Sequence, residues 1–134
     1  MLTAAGPRVV ESQTRLGGGR IPLLVQLSRG YDLERAVFAA LAGRLEPAGP
    51  ARGVARVEFL GFRPGTVLSV SGVEQAAALP FVHELSVPFE PGGRVPVTVD
   101  AKTRHGHVVV SAPDAGAAVE RCALVRRLIR VETR

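Results

Sequence analysis

Alternating apolar and polar positions run through the second half of the chain and predict short, half-buried strands. Residues 54–62 place Arg56 and Glu58 on one face and Val57 and Phe59 on the other. Residues 82–89 alternate in the same way, which is the period of a strand that buries a single face. Similar short β-branched runs predict further strands over residues 66–70, 95–99 and 107–111.

Helical segments interrupt these strands. Asp32 is placed to cap a helix over Leu33 to Ala42, which Gly43 would end. A short helix is predicted over residues 73–79, stopped by Pro80, and a long one opens at Pro113-Asp114 and runs to about Arg130. Together the elements predict an α+β fold with a small, mainly antiparallel sheet covered by two helices.

A change in composition divides the chain. Residues 45–53, Leu-Glu-Pro-Ala-Gly-Pro-Ala-Arg-Gly, are rich in proline and glycine, which is typical of a linker. We therefore expect residues 1–44 and residues 54–134 to form two units joined by this segment.

Candidate chemistry lies at the start of the chain. If residues 8–15 form a strand, Glu11, Gln13 and Arg15 share one face, and this trio suits a metal-bound phosphate. Gly17, Gly18 and Gly19 follow and let the backbone approach a ligand, and Pro22 suits the first turn of a helix. From spacing alone, an ordinary strand-to-helix connection with a solvated polar face is the favoured interpretation of the pattern.

The run Glu11-Ser-Gln-Thr-Arg-Leu-Gly-Gly-Gly-Arg-Ile-Pro22 resembles the last catalytic strand and turn of the ATP-grasp ligases, usually Glu-x-Asn-x-Arg followed by glycines. Residues 23–43 resemble the two helices that follow this strand in the amino-acid ligases of that superfamily. Residues 65–79 and 104–110 resemble their small C-terminal subdomain. The resemblance therefore covers nearly the whole chain.

The resemblance implies a role for each matched residue. Glu11 and Gln13 would ligate the magnesium of ATP, although the family has asparagine where this chain has Gln13. Arg15 would be catalytic, steadying the transferred phosphoryl group, and Gly17, Gly18, Gly19 and Arg20 would contact the ATP cofactor. The implied reaction activates a carboxylate, such as that of an amino acid, as an acyl phosphate and couples it to an amine.

The groups with which the family builds most of its ATP site precede this motif, and here only ten residues precede Glu11. Those ten residues can supply one hairpin strand with a Gly6-Pro7 turn. The resemblance therefore implies the C-terminal part of a ligase: a truncated frame, a split subunit that docks on a separate ATP-grasp chain, or an inactive remnant. A non-catalytic binding or dimerisation module is the alternative, and we expect the chain alone to be inactive.

Composition narrows the class of protein. The 134 residues are 46% hydrophobic and 22% charged, which is ordinary for a globular domain. No apolar run is long enough to span a membrane, and the chain does not open with the basic and apolar regions of a secretory leader. We therefore expect a cytoplasmic protein without a membrane partner.

The net charge of +5 raises the possibility of a nucleic-acid partner, but the distribution of charge argues against one. Of seventeen basic residues only Lys102 is a lysine, and the arginines are scattered as in proteins from GC-rich genomes. Five phenylalanines and one tyrosine leave few platforms for base stacking. The densest cluster, Arg121, Arg126, Arg127 and Arg130, is interpreted as the solvated face of the last helix.

Other reactive side chains are interpreted structurally. Cys122 recurs with Ala118, Val125 and Ile129 at helical spacing and is expected to be a buried apolar residue. His105 and His107 could point the same way as two metal ligands, but a third ligand is not evident. In the resemblance, Asp100 and Arg104 belong to a structural turn that joins the subdomain to the ATP-grasp core.

Overall fold

In the part of the chain that the structure describes, two three-stranded antiparallel sheets and four helices form the framework. The computed structural model describes residues 2–9 and 15–134. Its helices are α1 (Ile21–Arg29), α2 (Leu33–Leu41), α3 (Val73–Ala77) and α4 (Ala115–Leu128). Its strands are β1 (Leu2–Thr3), β2 (Gly6–Pro7), β3 (Val54–Phe59), β4 (Gly65–Ser71), β5 (Val82–Ser86), β6 (Arg94–Val95), β7 (His107–Ala112) and β8 (Arg130–Thr133). The predicted α+β class is confirmed.

The first sheet has the order β3-β7-β5, with every pair antiparallel. β7 is therefore bonded on both sides, and its residues 108–110 are three consecutive fully buried valines. Because successive side chains of a strand point to opposite faces, Val109 faces away from Val108 and Val110. Helices thus cover both faces: α4 packs on β7 and β3, and α1 packs against the same two strands.

The hydrophobic core lies between this sheet and α4. Val108 and Val110 pack in one cluster with Cys122 and Val125, and Ala118 is buried on the same helix. The prediction that Cys122 is a buried apolar residue is confirmed. Burial raises the pKa of its thiol, so it stays protonated and has little nucleophilic character.

The second sheet has the order β6-β4-β8 and differs from the prediction in one strand. The last helix ends at Leu128 instead of Arg130, and residues 130–133 pair with β4. The reason is that the pattern of apolar and polar residues changes from the helical period to strict alternation after Leu128. Arg130 and Glu132 are exposed, while Val131 and Thr133 are half-buried. The sequence predicted one sheet for residues 54–134, and this region contains two.

Prolines shorten two of the predicted strands. β5 ends at Ser86, two residues before Pro88, and β6 ends at Val95, immediately before Pro96. Proline has no backbone N–H to donate to a ladder, so neither strand continues to the residue at which its hydrophobic pattern ends.

The helix α2 begins at Leu33 as predicted and ends at Leu41, one residue before the predicted end at Ala42. Pro22 lies in the first turn of α1, and the Asp32 side chain accepts a hydrogen bond of 3.0 Å from the Arg35 backbone N–H at the start of α2. After α2, Gly43 adopts a φ of 68° in the left-handed region. The Gly43 and Arg44 N–H groups bond the last carbonyls of the helix, which satisfies groups that would otherwise lack partners.

The first residues of the chain correct another prediction. β1 pairs with β2, so Gly6-Pro7 belongs to the second strand of the hairpin, and Ala4 and Ala5 form the turn. Of the strand predicted over residues 8–15, residues 10–14 lie outside the described residues, and Arg8, Val9 and Arg15 are not in a strand.

The proline- and glycine-rich segment over residues 45–53 forms neither helix nor strand, and it runs back along α1. The Arg52 N–H donates to the Ser28 carbonyl at 2.6 Å, and the Arg29 side chain donates to the Gly49 carbonyl at 2.8 Å. Within the described residues, no helix is long and apolar enough to cross a membrane.

Candidate functional site

A half-open cavity of about 790 Å³ separates the glycine turn from the C-terminal sheet. One side is formed by residues 17–26 and by the start of α2. The other side is formed by β3, β5, β7 and residues 101–106. The polar and aromatic side chains in the lining are Arg20, Gln26, Asp32, Glu34, Phe59, Glu84, Ser86, Arg104 and His107. The volume is within the range of sites that bind small molecules.

The structure brings part of the predicted site to this cavity. Gly17, Gly18, Gly19 and Arg20 all line it. Arg15 is exposed, lies outside the lining and donates to the Leu16 carbonyl at 3.3 Å. The two predicted metal ligands, Glu11 and Gln13, lie outside the described residues. Their assignment and that of Arg15 therefore remain predictions.

The glycine turn leaves its backbone open toward the cavity. A methyl group added at Gly18 or Gly19 would meet no atom within 4 Å, so no side chain covers this stretch of main chain. The turn ends at Arg20, which has a φ of 68° and is the one non-glycine residue with positive φ in the described part of the chain. Such a backbone is disfavoured for a residue with a Cβ, so tertiary contacts must hold it.

Those contacts come from the Arg20 side chain. Its guanidinium lies 2.5 Å from Glu84 Oε1 on β5, and its Nε lies 3.2 Å from His107 Nε2 on β7. His107 Nε2 is also 3.0 Å from Glu84 Oε1. An unprotonated Nε2 accepts from Arg20, whereas a protonated one donates to Glu84, so His107 makes one bond or the other. The three side chains tie the glycine turn to the C-terminal sheet.

A second pair of side chains lies beside this triad. The Arg104 guanidinium carbon is 3.9 Å from the centroid of the Phe59 ring, which is cation–π geometry. The Phe59 ring is in turn 6.4 Å from the His107 ring. Aromatic and charged groups therefore form one continuous wall of the cavity.

Arg104 belongs to a segment whose backbone is fixed by its neighbour His105. That histidine is 3% exposed, its Nδ1 accepts from the Phe62 N–H at 2.9 Å, and its Nε2 lies 2.7 Å from the Pro96 carbonyl oxygen. Because a carbonyl only accepts, Nε2 carries the proton and both ring nitrogens are engaged. His105 is therefore a structural residue, which agrees with the structural interpretation that the sequence favoured for it.

Asp100 has the structural role expected of it. Its carboxylate accepts from the backbone N–H groups of Lys102 at 2.8 Å and Thr103 at 3.0 Å. These bonds, the one from Thr103 first, lower the pKa of the Asp100 carboxyl because they stabilise its charged form. The turn over residues 100–103 is thereby held in place before Arg104.

Sequence reasoning missed Glu84, Phe59 and His107 as parts of one site. The alternation over residues 82–89 puts Glu84 and Ser86 on the same face of a strand, and both line the cavity. The two polar side chains on this strand face were the available indication of a site. The partners of that face lie far away along the chain, so periodicity could not identify them.

The architecture is that of the C-terminal region of ATP-grasp ligases. The chain superimposes on the L-amino acid ligase from Bacillus licheniformis with a TM-score of 0.76 and 16% identity, covering 97% of this chain and 33% of that one. With phosphoribosylglycinamide synthetase from Anaerococcus prevotii the TM-score is 0.67 and the identity 12%, covering 90% of this chain and 32% of that one. At these identities the likeness concerns the fold.

Sequence comparison defines the family. A family model described as L-amino acid ligase C-terminal domain 2 matches residues 58–134, more than half of the chain. The chain belongs to this family, which confirms the resemblance to the ATP-grasp ligases. It is also 32% identical over 123 residues to the uncharacterized protein y4rH of Sinorhizobium fredii (strain NBRC 101917 / NGR234), covering 87% of this chain and 25% of that protein. The chain thus spans between a quarter and a third of the length of these relatives.

Proposed function

We propose that this chain supplies the C-terminal part of a ligase that activates a carboxylate with Mg-ATP and couples it to an amine. The observation that carries the proposal is the glycine turn, which lies open beside a cavity in a chain of the L-amino acid ligase C-terminal domain family. Exposed backbone N–H groups suit the close approach of an anionic ligand. ATP would supply the phosphoryl group that turns the carboxylate into an acyl phosphate.

Within this proposal the chain's own residues bind and orient. Glu11 and Gln13 hold the magnesium through side-chain oxygens, which are the ligands that this ion prefers. Arg15 binds the transferred phosphoryl oxygens through charge-assisted hydrogen bonds. Arg20 fixes the end of the glycine turn against Glu84 and His107. Positioning of this kind accounts for most of the catalysis in phosphoryl transfer.

The proposal requires an ATP-binding polypeptide, and the surface of α2 supports its docking. Three large apolar side chains of this helix, Val37, Phe38 and Leu41, are 44%, 73% and 82% exposed. An apolar stripe of this kind on one helix is typical of a surface that another element covers. The remainder of the ligase, on the same or on a separate chain, would cover it.

The test is reconstitution with the ATP-binding part of an ATP-grasp ligase, either fused to this chain or supplied as a separate polypeptide. We expect release of ADP and phosphate coupled to amide formation, with amino acids as trial substrates, only when both parts are present. Glu11→Ala is expected to abolish turnover without unfolding the chain, whereas Glu120→Ala on the exposed face of α4 provides a matched control with full activity. Full activity of Glu11→Ala would exclude the metal role.

The alternative is a non-catalytic module that dimerises or docks, and the exposed stripe of α2 favours this function as well. In that case, paired changes Phe38→Ser and Leu41→Ser abolish association while Glu11→Ala leaves it intact. Sedimentation analysis of the chain alone and with the ATP-binding polypeptide measures this. Association without any ATP turnover would favour the module over the ligase.

A further inference from the structure

Arg104 differs from Arg20, the other arginine of the cavity, in having no carboxylate partner among the described residues. Arg20 is neutralised by Glu84 at 2.5 Å. Arg104 is exposed, its guanidinium stacks on the Phe59 ring, and its side chain makes no hydrogen bond or ion pair with the described residues. Stacking on a ring uses the flat face of the guanidinium and leaves the N–H groups at its edge available to an acceptor. The cavity therefore contains one cation with unused donors.

The position of Arg104 is fixed before any ligand arrives. Its neighbour His105 is anchored through both ring nitrogens, and the Gly106 carbonyl oxygen accepts from the Leu60 N–H at 3.0 Å. Gly106 also has a φ of 131° and lies so close to the Ser86 carbonyl that a Cβ would collide with it. A preorganised backbone and a stacked guanidinium reduce the entropy that binding would cost.

The charge of the remaining lining indicates which anion suits the site. Asp32 and Glu34, at the start of α2, line the same cavity. Their negative charge disfavours a dianion such as phosphate more than it disfavours a monoanion. A planar carboxylate matches the fork of a guanidinium through two parallel hydrogen bonds. Apolar surface for the rest of a small organic acid is supplied by Phe59, Leu23 and Leu33.

We propose that Arg104, stacked on Phe59, binds the carboxylate of a small organic acid in the cavity between the glycine turn and the C-terminal sheet. The inference deepens the proposed function, because it assigns a substrate-anchoring residue to the C-terminal domain. It rests on that function only for the identity of the acid, since the binding site is built from this chain alone. Binding can therefore be measured without ATP or a second polypeptide.

The experiment is a titration of the isotope-labelled full chain, followed by NMR of the Arg104 side-chain N–H and of the Gly106 and His107 amides. Sodium acetate is the carboxylate probe, inorganic phosphate is the second anion, and sodium chloride keeps the ionic strength constant. We expect saturable shifts with acetate and weaker binding of phosphate. Arg104→Gln should weaken acetate binding by about tenfold or more, the loss of a charge-assisted bidentate contact.

Matched variants separate this contact from general charge and from folding. Arg127→Gln removes the same charge from the exposed face of α4 and should leave acetate binding unchanged. Arg104→Lys keeps the charge but loses the fork, and should bind acetate with intermediate affinity. Amide spectra outside the cavity report whether each variant is folded.

Three results would overturn the proposal. The first is equal acetate binding by Arg104→Gln and the unchanged chain. The second is tighter binding of phosphate than of acetate. The third is the absence of saturable shifts at the highest acetate concentration that the matched ionic strength permits. None of these results touches the ligase proposal, which the turnover of the reconstituted protein tests separately.

Discussion

Residues 54–134 and residues 15–44 are built on different principles. The C-terminal region contains nearly all the fully buried side chains, including Val108, Val110 and Cys122. In the N-terminal region α1 and α2 contain no buried residue, and α2 exposes large apolar side chains instead. Residues 54–134 therefore have their own hydrophobic core, whereas the stability of residues 15–44 depends on the elements that pack against them.

The difference explains where the cavity lies. The rigid C-terminal sheet presents Phe59, Glu84 and His107, and the glycine turn is attached to it through Arg20. Functional groups held on strands are positioned more precisely than groups on loops. Because the sheet holds the glycine turn in place, the turn can keep an open backbone beside a ligand and still have a fixed position.

The largest expected difference in the free energy of unfolding comes from placing a carboxylate in each of the two regions. Val110→Asp buries an unpaired carboxylate in the core and should cost more than about 4 kcal/mol, enough to abolish cooperative unfolding. Phe38→Asp makes a similar change on α2, where the side chain is 73% exposed, and should change the free energy of unfolding by less than about 0.5 kcal/mol. Urea unfolding followed by circular dichroism measures both.

An equal loss of stability in the two variants would contradict the division of the chain. It would mean that Phe38 is covered in solution, as in a self-associated form. Repeating the unfolding at several protein concentrations separates these cases, because association makes stability depend on concentration.

The next largest difference in stability is expected from replacing one glycine in each region with alanine. Gly106→Ala adds a Cβ against the Ser86 carbonyl at a φ of 131° and should destabilise the chain by about 2 kcal/mol. Gly18→Ala, in the open glycine turn, meets no atom within 4 Å and should leave the unfolding midpoint unchanged. Thermal unfolding of the two variants compares the same chemical change in both regions. A lower midpoint for Gly18→Ala would show that the turn is packed more tightly than its open surface indicates.

The sequence predicted the elements whose patterns are local. Three consecutive valines in β7 and the spacing of Ala118, Cys122 and Val125 in α4 each contain enough information to identify the element. β8 was missed because its alternation begins immediately after a helix with the same arginine-rich composition. Whether Pro88 and Pro96 end a strand depends on the partner strand, which a single segment does not reveal.

The candidate site was predicted less completely, for a physical reason. Gly17–Gly19 and Arg20 were identified by resemblance, and the structure places them at the cavity. Glu84 and His107 become partners of Arg20 only after the chain has folded back over more than sixty residues, and no local pattern encodes such a pairing. Arg104 was assigned to a structural turn, and its neighbours His105 and Gly106 make the hydrogen bonds that hold this turn.

The smallest expected change in stability comes from breaking the ion pair between Arg20 and Glu84, which links the two regions. Glu84→Gln removes the charge that pairs with Arg20 and should lower the stability of the attachment by about 0.5–1 kcal/mol, the range of partly exposed ion pairs. Hydrogen exchange at the Leu24 and Gly30 amides of α1 should accelerate, while exchange in β7 stays unchanged. Glu90→Gln, an exposed carboxylate outside the triad, is the matched control.

A double-mutant cycle with Arg20→Gln decides whether the ion pair itself holds the glycine turn. If it does, the two changes together cost less than the sum of the single changes, because each alone already breaks the same contact. Additive effects would mean that Glu84 acts through His107 instead, since that contact survives the loss of Arg20. The order of the glycine turn would then depend on the αL backbone of Arg20 and on the packing of α1 against β3 and β7, with the ion pair as a consequence of that order.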